Sequence, residues 1–323
     1  MLMVGVWVET HSCRTRCNLR RTLKENMPSL ACTPSTVTRL NFVLPPFSRL
    51  AWVHDRAREM WETRFPRIAS CWREIEWQTI VDGVRACALL WASHEELVNL
   101  APVLKQHGLR ATPLTSTLRA LAEEGQNVLV YRVAIGKRRE LSGFRRAWIR
   151  GDDDVIGQYL GYPACCRSFF HQVVVEHGWL DPTWPRAVSA MQREELVESI
   201  DLQVFPELNL FWESLALRLV PHIPCSYACN GARELAIRFL ATGRRCGYGA
   251  ELDHLLEVTR WPVEWSALHG IAEIKTPIVK LSTRTDATPR KLVLRHHGDR
   301  YPKEGARGVR FPYSMPAGVA ANQ

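Results

Sequence analysis

The sequence lacks any apolar run long enough to cross a membrane. Its longest apolar stretches, such as residues 84–91 with Arg85 inside, fall well short of the ~20 residues that a membrane-spanning helix requires. No secretory signal pattern opens the chain either, because the apolar run over residues 1–8 ends at Glu9. We therefore expect a cytoplasmic protein that makes no contact with a membrane.

The common signatures of nucleotide-binding proteins and hydrolases are also missing. The chain contains no Gly-x-Gly-x-x-Gly, no Walker loop, no Gly-x-Ser-x-Gly and no His-Glu-x-x-His. It has no internal repeat, no basic stripe and no aromatic RNA-binding signature. A net charge of +9 nevertheless allows an anionic partner, whether a nucleic acid, a nucleotide or an acidic substrate.

The composition is that of an ordinary globular protein. With 323 residues, 46% of them hydrophobic and 23% charged, the chain is long enough for two domains with their own cores. We predict an α+β fold with a small N-terminal α/β domain (residues 36–139), a central helical cysteine-containing domain (140–250) and a short C-terminal β segment (251–323). Residues 1–35 are basic and follow no helical or strand period, which predicts a disordered extension.

The N-terminal α/β domain is predicted from helical and extended patterns that alternate along the chain. A helix over residues 47–64 is expected to end at Pro66, and a second helix follows over residues 68–76. Three strands then alternate with two helices, the first of which opens at Ser93 with a capping-box pattern. The strands cover residues 84–91, 109–114 and 128–135, and the second of these helices covers residues 116–124. This β-α-β-α-β order is typical of a small α/β domain.

The central domain is predicted to be helical. A helix over residues 152–160 ends at Gly161, which suits a left-handed cap, and Pro163 then permits a new helix to begin. Further helices are predicted over residues 186–199, 208–219 and 225–242. The last part of the chain turns to strand, over residues 272–283 and 291–295.

Four cysteines in two tight pairs are the most informative feature of the chain. Cys165 and Cys166 follow Pro163, and Cys225 and Cys229 stand four residues apart. Each pair lies where a helix is expected to begin, and the unpaired backbone N–H groups there favour the thiolate that metals bind. In a reducing compartment, paired cysteines bind metal or carry out redox chemistry more often than they form disulfides. We predict that the four cysteines form one metal or cluster site.

The sequence does not choose the metal. A zinc ribbon usually repeats C-x2-C twice and neither pair does so, while two helix starts suit both a thiolate-bound iron–sulfur cluster and zinc. Three residues are candidate completing ligands, although each is also typical of a surface or packing position: His171, His222 and Cys246. Cys71 and Cys87 lie on apolar faces and are expected in the core.

One of the cysteine pairs lies in a segment that resembles a known family signature. Residues 160–170 read Leu-Gly-Tyr-Pro-Ala-Cys-Cys-Arg-Ser-Phe-Phe, similar to the Leu-Gly-Tyr-Pro-x-Cys-Cys-x-x-Phe-Phe signature of an uncharacterised family of archaeal and bacterial proteins. With the second cysteine pair, the resemblance covers under a third of the chain. It implies that all four cysteines belong to one site, and it implies nothing about a substrate.

A second candidate region is the strand that follows His269. In an extended chain, Glu273 and Lys275 share one face while Thr276 and Lys280 take the other. So many ionisable groups are unusual in a purely structural strand. We predict that His269, Glu273 and Lys275 face the thiol site as catalytic acid/base or substrate-binding groups. The alternative is a solvent-facing edge strand with ordinary ion pairs.

Three functions fit these observations. The first is an iron–sulfur enzyme in which three or four of the cysteines hold a [4Fe–4S] cluster that acts on a small-molecule or RNA-linked substrate. Its chemistry is expected to be non-radical, because the C-x3-C-x2-C spacing of radical enzymes is missing. The second is a zinc-stabilised protein that binds RNA or another anionic partner. The third is a thiol redox or transfer protein that uses Cys165 and Cys166. We predict the first.

Overall fold

The computed structural model describes residues 49–120, 127–189, 197–288 and 290–300. Within these ranges it confirms the predicted α+β fold, in which two separate sheets pack against helices. The predicted extension over residues 1–35 lies outside the described residues. No helix in the described ranges is both long and apolar enough to cross a membrane.

Strands and helices alternate irregularly along the described chain. The strands are β1 (Arg49–Trp52), β2 (Cys87–Ser93), β3 (Arg110–Ala120), β4 (Asn127–Gly136), β5 (Ser199–Asp201), β6 (Val263–Leu268), β7 (Ile271–Lys275), β8 (Val279–Arg284) and β9 (Leu292–His296). The α-helices are α1 (Asp55–Val81), α2 (His94–Gln106), α3 (Arg138–Arg150), α4 (Asp153–Tyr159), α5 (Ala164–Phe170), α6 (Thr183–Val188), α7 (Asn230–Arg245) and α8 (Gly249–Thr259). A π-helical turn, His171–Glu176, extends α5.

The larger sheet has six strands in the order β1-β8-β7-β6-β9-β5. Adjacent strands in this sheet are antiparallel, except that β5 and β9 are parallel. Along β7, Ala272 and Ile274 are buried while Glu273 between them is exposed, as expected for a sheet with one covered face. Leu50 of β1 lies opposite Leu281 of β8, so a strand of the predicted α/β domain joins the sheet of the predicted C-terminal segment. The exact domain boundaries stay a prediction.

The main core is built from this sheet together with α1, α7 and α8. Its largest side chains are tryptophans, and the rings of Trp61 and Trp261 meet edge to face with centroids 4.9 Å apart. The three helices approach closely at Gly243, where a Cβ atom would lie 2.6 Å from Ile75 and 2.7 Å from Leu252. The absence of a side chain at this position therefore lets α7 sit against both of its neighbours.

Helix α1 runs for 27 residues through Pro66, so the prediction that a helix ends at this proline is wrong. An internal proline removes one hydrogen bond and costs about 3 kcal/mol. Trp61 and Phe65 are only 1% and 5% exposed, and the packing of this face offsets the cost of the proline. The helix also begins later than predicted, where His54 caps it by accepting a hydrogen bond from the Ala57 N–H at 3.0 Å.

The smaller sheet is antiparallel, in the order β2-β4-β3. Trp77 of α1 and Leu104 of α2 belong to the core on one of its faces, and Leu141 and Phe144 of α3 belong to the core on the other. The capping box at Ser93 is confirmed, since its side chain and that of Glu96 each accept a hydrogen bond from the other residue's backbone N–H. Just before β2, Arg85 leaves this layer and lies over the ring of Phe239 in the main core, 4.8 Å from its centroid.

The predicted helix over residues 116–124 is wrong for residues 116–120, and residues 121–126 lie outside the described chain. Strand β3 instead continues through Ala120 in register with β4. Thr115 and Thr117 are β-branched and favour a strand, and ladder hydrogen bonds to β4 decide the outcome. Among the described residues, the order of the small sheet is therefore β-α-β-β.

The central segment contains shorter helices than the sequence predicts. Residues 206–208 and 210–215 form 3₁₀ turns in place of one α-helix over residues 208–219. Asn209 separates them, because its side chain accepts a hydrogen bond from the Phe211 N–H and donates one to the Thr259 carbonyl. Such side-chain bonds compete with the backbone pattern of a helix.

The helix predicted over residues 186–199 is described only at its two ends, where the structure has a helix and a strand. Helix α6 ends at Val188, and strand β5 begins at Ser199. Residues 190–196, between them, lie outside the described chain. Helix α8 and strand β6 are additional elements that the sequence patterns did not predict.

Buried His296 at the end of β9 is expected to make stability depend on pH. Burial lowers its pKa to about 4, and the charge of Asp299 opposes this shift only in part. The unfolded chain therefore binds a proton that the folded chain excludes once the pH falls below about 6.5. We expect His296 to cost about 3 kcal/mol of unfolding free energy at pH 4 relative to pH 7.5, measured by urea unfolding.

The matched comparison is the His296→Gln variant, which cannot take up this proton. Its free energy of unfolding should fall less than that of the natural protein between pH 7.5 and pH 4. Parallel pH profiles for the two proteins would contradict the assignment, because other titrating groups, including the cysteines, are common to both.

Candidate metal centre

The first cysteine pair lies in the opening turn of α5. Gly161, with a φ of 73°, ends the preceding turn, and Pro163 stands at the cap of the new helix, as predicted. The Cys166 N–H and the next N–H both donate to the Pro163 carbonyl at 3.0 Å. This geometry leaves Cys165 exposed and directs Cys166, 2% exposed, into the core.

The prediction that both cysteines of the second pair lie on one face of a helix is wrong. Helix α7 begins at Asn230, so Cys229 is its cap and Cys225 belongs to the preceding loop. The loop is fixed by Tyr227, which is 2% exposed. Its ring stacks on that of Phe211 with centroids 5.4 Å apart, and its backbone carbonyl accepts a hydrogen bond from the Phe205 N–H. A buried aromatic residue between the two cysteines therefore turns them toward the same point.

The four Sγ atoms converge on one position. The Sγ of Cys165 lies 3.9 Å from that of Cys166 and 3.7 Å from that of Cys229, and the Cys166–Cys229 separation is also 3.7 Å. Adding Cys225, all four Sγ atoms lie within 4.8 Å of one another. Four thiolates bound tetrahedrally to one ion at about 2.3 Å would be separated by about 3.8 Å. The cluster can therefore hold a metal ion.

Hydrogen bonds among the thiols distribute their protons unequally. The bond with Cys166 lowers the pKa of Cys225 to about 5, and bonds with Cys229 and Cys165 act in the same direction. The pKa of Cys166 is raised, first by that same bond with Cys225 and then by burial. Burial raises the pKa of Cys229 to about 11, against the hydrogen bond that the Ala232 amide donates. Cys225 is thus the position at which the cluster favours a thiolate.

None of the three candidate completing ligands belongs to the group of close donor atoms in the described chain. His222 stacks on Tyr162 with ring centroids 4.7 Å apart, and exposed His171 lies 3.3 Å from Glu176. Cys246 caps the far end of α7, about 26 Å along the helix from Cys229. Four cysteines complete a tetrahedral set without them.

The remaining buried cysteines behave as predicted. Cys71 and Cys87 are 5% and 0% exposed and form no disulfide. Burial raises the pKa of each thiol to about 12. Both therefore stay protonated and pack as small apolar side chains.

The residues predicted as catalytic lie on the hairpin of β6 and β7. His269 occupies its turn with a φ of 52°, and Glu273 is exposed on β7. Lys275 shares that face, as predicted, and its Nζ lies 3.5 Å from Glu264 and 3.7 Å from Glu273. Strand β7 is paired on both sides and is not an edge strand. A catalytic role for His269, Glu273 and Lys275 stays a prediction.

Two residues beside the centre were missed by the sequence analysis. Tyr227 could have been found, because an aromatic residue inside a C-x3-C spacing is a natural anchor for a ligand loop. Arg186 gives no comparable signal, because an arginine in a short helix is usually exposed, and its 3% exposure follows only from tertiary packing. Comparison of the chain with family models, curated proteins and solved structures finds no match.

Proposed function

We propose that this is a zinc-centred binding protein for an anionic small molecule. The four cysteines hold one zinc ion, and the ion fixes the cysteine loop before α7 against the start of α5. The observation that carries the proposal is the separation of the Sγ atoms, 3.7–3.9 Å among Cys165, Cys166 and Cys229, which matches the edge of a single-ion tetrathiolate. Net charge of +9 is consistent with an anionic ligand.

The same separation argues for a structural ion. A catalytic zinc keeps one coordination position for water or substrate, whereas four protein thiolates close the tetrahedron. The ion would then contribute to folding, since ligation free energy adds to the free energy of unfolding. Chemistry or recognition would depend on side chains next to the centre.

An iron–sulfur enzyme is the second candidate. In a [4Fe–4S] cluster each cysteine binds a different iron, so the body of the cluster separates the thiolates further than one ion does. The spacing in this chain therefore favours zinc. The exposure of Cys165 supports the cluster, because a ligand at the surface is one that a substrate could replace.

The first test is the content of metal and acid-labile sulfide in protein purified without oxygen and without a metal-binding tag. We expect one zinc per chain, no sulfide and no visible colour. Iron and sulfide in equal amounts would overturn the zinc assignment in favour of the cluster. Metal-free protein with a disulfide between Cys165 and Cys166 would overturn both and support the thiol redox function.

A further inference from the structure

A buried arginine without a partner lies beside the four-cysteine centre. Arg186 is 3% exposed, and its guanidinium lies over the ring of Tyr227 at 3.9 Å. Its Nε and Nη2 atoms have no hydrogen-bond partner among the described residues. No described carboxylate lies within ion-pair distance of it. Buried cations are normally paired or hydrogen-bonded, so these donors call for an acceptor.

The two free nitrogens specify what that acceptor is. Nε and Nη2 form one edge of the guanidinium plane, and two parallel N–H groups on such an edge match two oxygens of a carboxylate or phosphate. The contact with the Tyr227 ring occupies one side of the guanidinium, and the Nε and Nη2 atoms are left without partners among the described residues. The geometry therefore selects an oxyanion over a neutral or single-atom ligand.

His222 is a second group with polar atoms that lack a partner, and it precedes Cys225 by three residues. Both ring nitrogens of His222 are shielded from solvent and lack hydrogen-bond partners in the described structure. After burial, the charge of Arg186 is the strongest influence lowering the pKa of His222, which falls to about 3. The histidine is therefore neutral, and one N–H of its ring remains to donate to a ligand.

Arg186 differs from the neighbouring arginines Arg85 and Arg218 in having no ion pair with a described residue. Arg85 and Arg218 also influence His222, but both contact the carboxylate of Glu76. Glu213 and Asp181 influence this region as well, yet neither lies within 4.0 Å of the Arg186 guanidinium. Burial raises the pKa of Glu213, which weakens its ability to neutralise a neighbour.

The Ser189 side chain ties Arg186 to the proposed metal site. Its hydroxyl oxygen lies 2.9 Å from the Arg186 carbonyl oxygen and 3.0 Å from that of Cys225, so its single O–H is shared between the two carbonyls. Tyr227, under the guanidinium, lies between the two cysteines of the second pair. His222 precedes Cys225 by three residues. Metal binding at the cysteines would therefore hold Arg186 and His222 in place.

We propose that Arg186 and His222 bind the oxyanion group, a carboxylate or a phosphate, of a small molecule next to the four-cysteine centre. The two N–H groups of Arg186 bind two of its oxygens, and a ring N–H of His222 donates to the same group. This inference rests on the proposed function and names the site where the anionic ligand binds.

The test titrates the full chain as purified, with its zinc content measured, with inorganic phosphate and, separately, with acetate at constant ionic strength, using chloride as the reference anion. The readout is the NMR signal of the Arg186 Nε–H group and the dissociation constant. We expect a saturable shift with an oxyanion and none with chloride. A shift with phosphate alone would identify the natural ligand as a phosphate ester, and a shift with acetate alone would identify it as a carboxylate. If neither oxyanion shifts the signal, the proposal is overturned.

The variant Arg186→Met should weaken binding of the effective probe by roughly tenfold or more, since it removes both donors. Arg186→Lys, which keeps the charge but loses the paired edge, should weaken it similarly. The matched control is Arg233→Met, because Arg233 also lies over an aromatic ring, Phe205, but is 3.5 Å from Glu207. Unchanged affinity in both Arg186 variants would overturn the proposal.

Failure of this inference and failure of the zinc assignment are distinguishable on the same samples. Zinc content without oxyanion binding removes the site at Arg186 and leaves the metal centre. Saturable binding in protein that contains no zinc removes the metal assignment and leaves the site. If Arg186→Met does not fold, the Arg186 signal of the natural protein decides the question alone.

Discussion

Replacing Cys229 by serine is expected to abolish metal binding and to lower the free energy of unfolding by more than about 4 kcal/mol. Cys229 is 7% exposed and caps α7, so its loss removes a ligand and leaves a buried hydroxyl in its place. A metal bound to all four cysteines would also join Cys229 to Cys166 across 63 residues of sequence, a link that restricts the unfolded chain. Metal analysis and urea unfolding measure the two effects.

The matched control for this variant is Cys246→Ser. Cys246 stands at the opposite end of α7 and takes no part in the cluster. The Cys246→Ser variant should keep one metal per chain, and its free energy of unfolding should differ from that of the natural protein by less than about 1 kcal/mol. Full metal content in Cys229→Ser, or equal losses in the two variants, would contradict the four-cysteine site.

The second large effect is expected at the buried ion pair between Glu76 and Arg85. The Arg85 side chain is fully buried, contacts the Glu76 carboxylate and donates from Nε to the Thr79 hydroxyl at 2.8 Å. Arg85 also packs against Gly161, just before the first cysteine pair. Glu76→Gln leaves the cation without its counter-charge, and we expect a loss of about 3–5 kcal/mol in urea unfolding.

The double variant Glu76→Gln with Arg85→Met separates the cost of an unpaired charge from the value of the pair. Because both charges are then removed, its loss should be well below the sum of the two single losses. As a surface control, Asp253→Asn breaks an exposed pair with Arg244 at 2.6 Å and should cost at most about 1 kcal/mol. Additive losses in the double variant would contradict this account.

Local sequence patterns predicted helix boundaries correctly where contacts between residues a few positions apart determine them. Ser93 followed by Glu96 is a capping box in the structure, and Gly161 and Pro163 separate two helices. The tandem Cys165 and Cys166 could be assigned to a helix start because the proline and glycine fix that boundary. These features depend on residues a few positions apart, which a sequence pattern contains.

Features that depend on tertiary packing could not be predicted in this way. Pro66 lies inside α1 because the buried aromatic face around it outweighs its local cost. The pairing of β1 with β8 joins segments more than 200 residues apart, and no periodicity encodes it. Arg186 is buried beside Tyr227 through contacts between distant elements. The sequence therefore predicted which cysteines meet, but not the side chains that surround them.

The central claim is that four cysteines bind a single ion. X-ray absorption at the edge of the bound metal tests it most directly, because the method counts the neighbours of the ion and measures their distances. The account predicts zinc with four sulfur neighbours at about 2.3 Å and no second metal nearby. A metal neighbour in the spectrum, or nitrogen and oxygen in place of one or more sulfurs, would contradict it.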